Sequence, residues 1–232
     1  MNNIFYKLSI GCVGLFPVMA FGTGITKKPN RPNILIIFTD DQGYADLECF
    51  GSKTNKTPNM NKLASEGVMF TEFYAQAYSM PLRSTILTGR YPFKSGGIDM
   101  PASEVTFAEL ARDGGYQTVC IGKWDVSNRK PIIDRMPNAQ GFDYYFGALG
   151  ANDGGVVKLY ENNDYIRTEK DMSVLTSEYT DKAIDFLKNK HDDDKPFLIY
   201  LAHTMMHTVV GASEEFKGKS KGGLYGDVVE EF

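Results

Sequence analysis

The chain has 232 residues, 42% of them hydrophobic and 23% charged, and a net charge of −4. That length carries one substantial globular domain or two small ones, and the composition excludes a disordered, collagen-like or repeat protein. The acidic balance argues against nucleic acid as a partner, since phosphate binding needs a basic surface, but it leaves room for a locally basic pocket that takes a small anion.

Residues 1–22 read as a secretory signal. Lys7 is the only positive charge there, residues 8–16 form a short apolar run, and Ala20-Phe21-Gly22 offers small residues for cleavage. The run is too short for a membrane span, which needs roughly 20 apolar residues. Cys12, after Ser9-Ile10-Gly11, is a poor lipoprotein match, so a cleaved signal is preferred over a lipid anchor. The protein is therefore expected in the periplasm or outside the cell. Residues 23–31 are a polar lead-in, and the folded domain is expected over 32–232. Two cysteines then remain, Cys49 and Cys120, read as buried free thiols, with a single bridge permitted in an oxidising compartment.

Residues 33–39 are a continuous β-branched run and predict a strand buried on both faces. Thr57-Pro58 opens a helix with Met60, Leu63 and Ala64 on its apolar face, and Gly67 stops it. Residues 69–74 predict a strand, and residues 81–88 a helix ended by Gly89. Thr106 to Glu109 has the form of a capping box, starting a helix that ends at Gly114-Gly115. Residues 116–122 predict another strand. The loop 150–171, rich in Gly, Asn and Asp, reads as a surface insertion. Tyr179, Ala183, Phe186 and Leu187 predict one face of a helix capped by Thr176. Residues 192–195 form a charged turn, and 197–201 a further buried strand. Residues 227–232 have helical spacing and no stop signal, so the sequence is expected to run out within an element.

Strands alternating with helices predict an α/β domain with a largely parallel sheet, whose function gathers at the carboxyl ends of the strands. Three polar clusters fall there: Asp40-Asp41, Lys123-Trp124-Asp125, and the segment from His203 to His207. Adjacent carboxylates at a strand end repel and are costly to desolvate; a hard cation relieves both, though from the dipeptide alone a solvated turn with an N-cap Asp is the preferred reading. Ser79, just ahead of Pro81, reads either as a helix N-cap or as a residue placed where a helix N-terminus favours an anion. Arg83 is one helical turn away and can reach back to it.

Four ordered segments then resemble the formylglycine-dependent sulfatase family of the alkaline phosphatase superfamily. They are Asp40-Asp41-Gln42-Gly43-Tyr44, Ser79-Met80-Pro81-Leu82-Arg83, Leu87-Thr88-Gly89-Arg90 and Gly122-Lys123-Trp124, with Gly141-Phe142-Asp143 and residues 197–207 in keeping. The resemblance runs from Arg31 onward and covers roughly half of what such an enzyme usually needs. It implies an alkaline-phosphatase-like fold, a mostly parallel sheet flanked by helices, here truncated, and a sulfuric ester hydrolase.

The resemblance further implies that Ser79 is oxidised to formylglycine (3-oxoalanine) by a serine-type maturation enzyme. One hydroxyl of the hydrated aldehyde attacks sulfur, and the other then expels sulfate. Asp40, Asp41 and an oxygen of residue 79 would hold Ca²⁺, with Mg²⁺ as the alternative. Arg83 would hold the hydrate, Lys123 would bind a sulfate oxygen, and His207 would protonate the leaving oxygen. His203 is expected to be structural. The sequence departs from the family at Leu82, where Ser or Thr is common, and at Met206, where Pro is common. It departs also at Asp125, where many relatives carry a His that acts as base. Asp125 is either that base or is turned away to pair with Lys123 or Arg129. The family's Asp-Asn pair and further lysine have no match before Phe232.

The expected substrate is a sulfated carbohydrate or a small aryl sulfate, with neither nucleic acid nor a membrane span involved. The alternatives are a phosphoester or phosphonate ester hydrolase of the same superfamily, and a non-catalytic fragment that binds sulfated glycan.

Overall fold

Strands β1 (Ile34–Phe38), β2 (Gln117–Lys123), β3 (Tyr144–Ala148), β4 (Val157–Glu161), β5 (Asp164–Glu169) and β6 (Phe197–Ala202) form one sheet in the order β1-β6-β2-β3-β4-β5. The first four in that order are mutually parallel, and β4 and β5 are antiparallel. The helices are α1 (Pro58–Glu66), α2 (Ser79–Thr88), α3 (Phe107–Asp113), α4 (Leu175–Asp185) and α5 (Gly223–Glu231). This computed structural model describes residues 31–95, 99–126 and 129–232; the expected signal at 1–22, with Cys12, and most of the lead-in lie outside the described residues.

The period-2 alternation of strand side chains sorts the core into two layers. Val119, Ile121, Phe146, Ile199 and Leu201 point to one face, where Leu175 and Tyr179 of α4 and Val228 of α5 cover them. Cys120, Tyr145, Leu198 and Tyr200 point to the other, against Leu87 of α2, Ala108 of α3, Trp124 and Phe142. β2 and β6 are thus covered on both faces, the environment their near-continuous apolar runs require. Gly122 lets these two strands meet at their carboxyl ends. Its φ is +105°, and a Cβ there would lie 1.9 Å from the Ala202 carbonyl oxygen.

Helix boundaries follow their local signals. The α3 capping box is complete: Glu109 N donates to Thr106 Oγ1 (3.2 Å) and Thr106 N to Glu109 Oε2 (2.8 Å). Gly89 closes α2 in the left-handed conformation, at φ 67°. Thr57 holds the N-cap position of α1, but its hydroxyl accepts from Glu48 N (3.0 Å) instead of capping.

Five expectations need correction. β1 is not buried on both faces: it is an edge strand of the sheet, with Leu35 49% and Ile37 44% exposed. Residues 69–74 form no strand, because no strand among the described residues pairs with them. Residues 150–171 are not simply an insertion. They contain the β4–β5 hairpin, turned by Asn162-Asn163 with Asn162 at φ 53°. Thr176 lies inside α4; Asp171 caps the preceding 3₁₀ turn through Ser173 N, and Leu187 is 40% exposed on a π-helical extension. Both cysteines are free, as expected, but Cys49 is only half-buried.

Candidate active site

The carboxyl ends of β1, β6 and β2 lie side by side, and each carries one of the three polar clusters. Asp40 follows β1 directly and is buried. Its main chain is tied to the segment after β6: Asp40 N donates to Met205 O (3.1 Å) and Met206 N to Asp40 O (2.6 Å). Lys123 ends β2 and is completely buried, with its ammonium bonded to Asp40 Oδ2 and 3.3 Å from Asp125 Oδ2.

α2 brings in the second half of the site. It begins at Ser79, with Tyr78 in the N-cap position, so Ser79 is the first helical residue and not the cap. Arg83 is fully buried and spans the gap. Its Nε donates to Ser79 Oγ (2.9 Å), its Nη1 donates to Lys123 O (2.8 Å), and its Nη2 lies 3.4 Å from Asp40 Oδ2. The guanidinium also lies 5.2 Å from the centre of the Phe38 ring. Nη2 makes no hydrogen bond among the described residues, and its near charge is the Asp40 carboxylate.

Electrostatics sharpen this picture. Burial pushes the Asp40 carboxyl up, but the Arg83 and Lys123 charges beside it outweigh that and hold it below the ordinary carboxylate value. Asp125 is turned toward cations: Arg129 Nε donates to its Oδ1 (2.9 Å), in addition to the Lys123 contact. Asp125 thus pairs with both of the cations that the sequence offered as partners. Three of the four non-glycine residues described with positive φ are here: Asp41 (53°), Asp125 (42°) and Arg129 (59°). Such conformations are costly and persist where the surroundings over-determine them, commonly at functional sites.

His207 lies at the rim. Its Nε2 is 3.7 Å from Asp41 Oδ2 and 3.4 Å from Asp153 Oδ1, and its Nδ1 is 2.5 Å from Thr208 O. His203 is instead buried in the core against Tyr179 and Phe232, a structural place. Two site residues escaped notice in the sequence, Asn152 and Asp153. The available signal was the Gly/Asn/Asp-rich stretch that begins at Gly150, which reads as loop.

Whether a hard cation fits is decided by the donor set. Asp40, Asp41 and Ser79 offer oxygen only, as Ca²⁺ or Mg²⁺ prefers. Four carboxylates (Asp40, Asp41, Asp125, Asp153) stand against three cationic side chains (Arg83, Lys123, Arg129), so the cluster has charge left for a cation to balance. The chemistry fits. The sphere is partial, since among the described residues no group of three or more His, Cys, Asp or Glu is placed to hold a metal alone.

The sulfatase family profile matches residues 32–226. The chain is 32% identical to N-acetylgalactosamine-6-sulfatase of Sus scrofa, over 94% of this chain and 48% of that protein. Among solved structures, Ps i-CgsB in complex with k-i-k-neocarrahexaose superposes with a TM-score of 0.75 at 28% identity, covering 87% of this chain and 52% of that one. A protein bound to its substrate D-glucosamine-2-N,6-O-disulfate gives 0.65 at 33% identity, covering 77% and 35%. The chain spans about half the length of the curated relatives it matches.

Proposed function

Because the chain belongs to the sulfatase family, we propose that it carries the nucleophile, anion-binding and partial metal site of a sulfuric ester hydrolase acting on sulfated carbohydrate or aryl sulfate. One observation carries the reading. The Ser79–Arg83 pair at the start of α2 meets buried Lys123 and Asp40 at the ends of β2 and β1.

In this reading Ser79 is the formylglycine position, converted by a serine-type maturation enzyme. Converted, residue 79 would supply a hydrated aldehyde, one hydroxyl of which can attack sulfur while the other, on losing its proton, lets sulfate leave and restores the aldehyde. Arg83 orients the oxygen at residue 79 through Nε and offers Nη2 to an anion. Lys123 offsets charge on the sulfate oxygens. Asp40 and Asp41, with an oxygen of residue 79, would hold a divalent cation, Ca²⁺ by family habit; it would supply a concentrated positive charge. His207, at the rim, protonates the leaving oxygen. Asp125 keeps Lys123 and Arg129 in place and takes no proton from the nucleophile. The sugar preference rests on the relatives, one named for a sulfated aminosugar and one solved with such a substrate. The short apolar run at residues 8–16, read as part of a cleaved signal, supports action outside the cytoplasm.

The test is mass spectrometry of the tryptic peptide 63–83, from protein made in a host with a serine-type maturation enzyme. A loss of two hydrogens localised to Ser79 is expected. An unmodified serine removes the two-hydroxyl mechanism. Parallel assays with matched sulfate and phosphate monoesters then separate this reading from a phosphoester hydrolase, with the sulfate ester expected to be the better substrate.

A further inference from the structure

The loop from β3 to β4 contributes something to the site that the reaction chemistry does not itself demand. Asn152 in this loop is fully buried. Its Nδ2 donates to two main-chain carbonyls of the histidine segment, His207 O (3.1 Å) and Val209 O (2.8 Å). The neighbouring Asp153 reaches the ring: its Oδ1 lies 3.4 Å from His207 Nε2, while its Oδ2 accepts from Arg129 Nη1 (3.1 Å). Arg129 is held in turn by Asp125.

An amide buried in this way costs several kcal/mol unless it is bonded, on the order of 2–7. Here its donors are spent on a segment that lacks regular structure, since residues 203–213 belong to no helix or strand. The His207 main chain has only one other described bond, from its N to Thr204 O (3.2 Å). The preceding Met205 and Met206 are tied to Asp40, but among the described residues the His207 carbonyl is bonded by Asn152 alone; an acid misplaced by about 1 Å can lose on the order of 100-fold in rate.

We propose that Asn152 and Asp153 are positioning residues for His207: the amide fixes the main chain and the carboxylate, anchored by Arg129, aims the ring. The role given to the ring rests on the sulfatase reading; the positioning does not.

The test uses the 232-residue chain with Asn152→Ala and Asp153→Asn. Because the chain has three histidines, ¹⁵N-histidine NMR resolves each ring, and His207→Gln assigns its signals. Both variants are expected to move the His207 ring signals and leave those of His191 and His203 in place. If the His207 signals stay put, the proposal falls. Kinetics add a second readout. With an ill-placed acid, kcat should drop at least about tenfold more on a sugar sulfate than on an aryl sulfate with a nitrophenolate leaving group, with KM little changed. Equal losses on both substrates would mean a merely structural role and overturn the proposal. If the ring signals move but Ser79 stays unconverted in a host with a serine-type maturation enzyme, the positioning stands and the sulfatase reading fails. Should Asn152→Ala not fold, Asp153→Asn, on an exposed carboxylate, carries the test alone.

Discussion

Lys123 shows how a single side chain can hold a site together. It has no solvent contact, and its ammonium lies between two buried carboxylates, Asp40 and Asp125. Removing one partner of a buried ion pair leaves the other charged and dry, which typically costs about 3–5 kcal/mol. Lys123→Met, similar in volume and without charge, is expected to lower stability by about that much, read as a shift in the urea midpoint. A change below about 1 kcal/mol would mean that Arg83 and Arg129 suffice to neutralise both carboxylates. Arg83 is equally hard to replace. Its planar fork serves Ser79 Oγ and the Lys123 carbonyl at once, and a lysine has no such fork.

At the scale of elements, the ends of helices do more than stop them. Thr106 caps α3, and the same hydroxyl donates to Gln140 O (2.7 Å) in the buried layer beneath. Losing a cap alone costs about 1 kcal/mol; losing the buried bond as well brings Thr106→Ala to about 2 kcal/mol. A thermal melt should show a drop of several degrees, with Thr106→Ser close to wild type. An equal drop for the serine variant would point to the methyl group and not the hydroxyl. Gly122 works at the same scale. The close approach of β2 to β6 that it permits keeps Lys123 and the histidine segment on neighbouring strand ends.

Across the whole molecule, His203 joins four elements. It follows β6, its N donates to Phe38 O at the end of β1 (2.8 Å), and its ring meets Tyr179 of α4 and Phe232 after α5 at 6.1 and 4.9 Å. Burial lowers its pKa to about 4. The unfolded chain, with a value of about 6.5, therefore binds a proton that the folded chain refuses between those limits. The stability contribution is present above the unfolded value and is lost as pH falls from about 6.5 toward 4. Between pH 7 and pH 5 the wild type should lose about 2 kcal/mol more than His203→Phe, measured by urea unfolding of both at each pH. Identical pH slopes for the two proteins would refute this. No described helix is long and apolar enough to cross a membrane.

The sequence by itself determined the family, the alternation of strands and helices, and the residues at the strand ends, because these depend on local periodicity and on motifs a few residues long. Asp40, Ser79, Arg83 and Lys123 were legible as candidates for that reason. Four other features depended on the tertiary structure. Strand order decided that β6 lies between β1 and β2, which sets the histidine segment against Asp40. Pairing decided that residues 69–74 form no strand, that β1 is an edge, and that the polar stretch after β3 contains a hairpin. Two cations 2 and 4 residues away in sequence, Lys123 and Arg129, were both near enough to capture Asp125, and only the folded geometry showed that both do. Asn152 and Asp153 were invisible for the same physical reason: their partners in the histidine segment lie more than fifty residues along the chain, and a contact at that separation leaves no periodic trace in sequence.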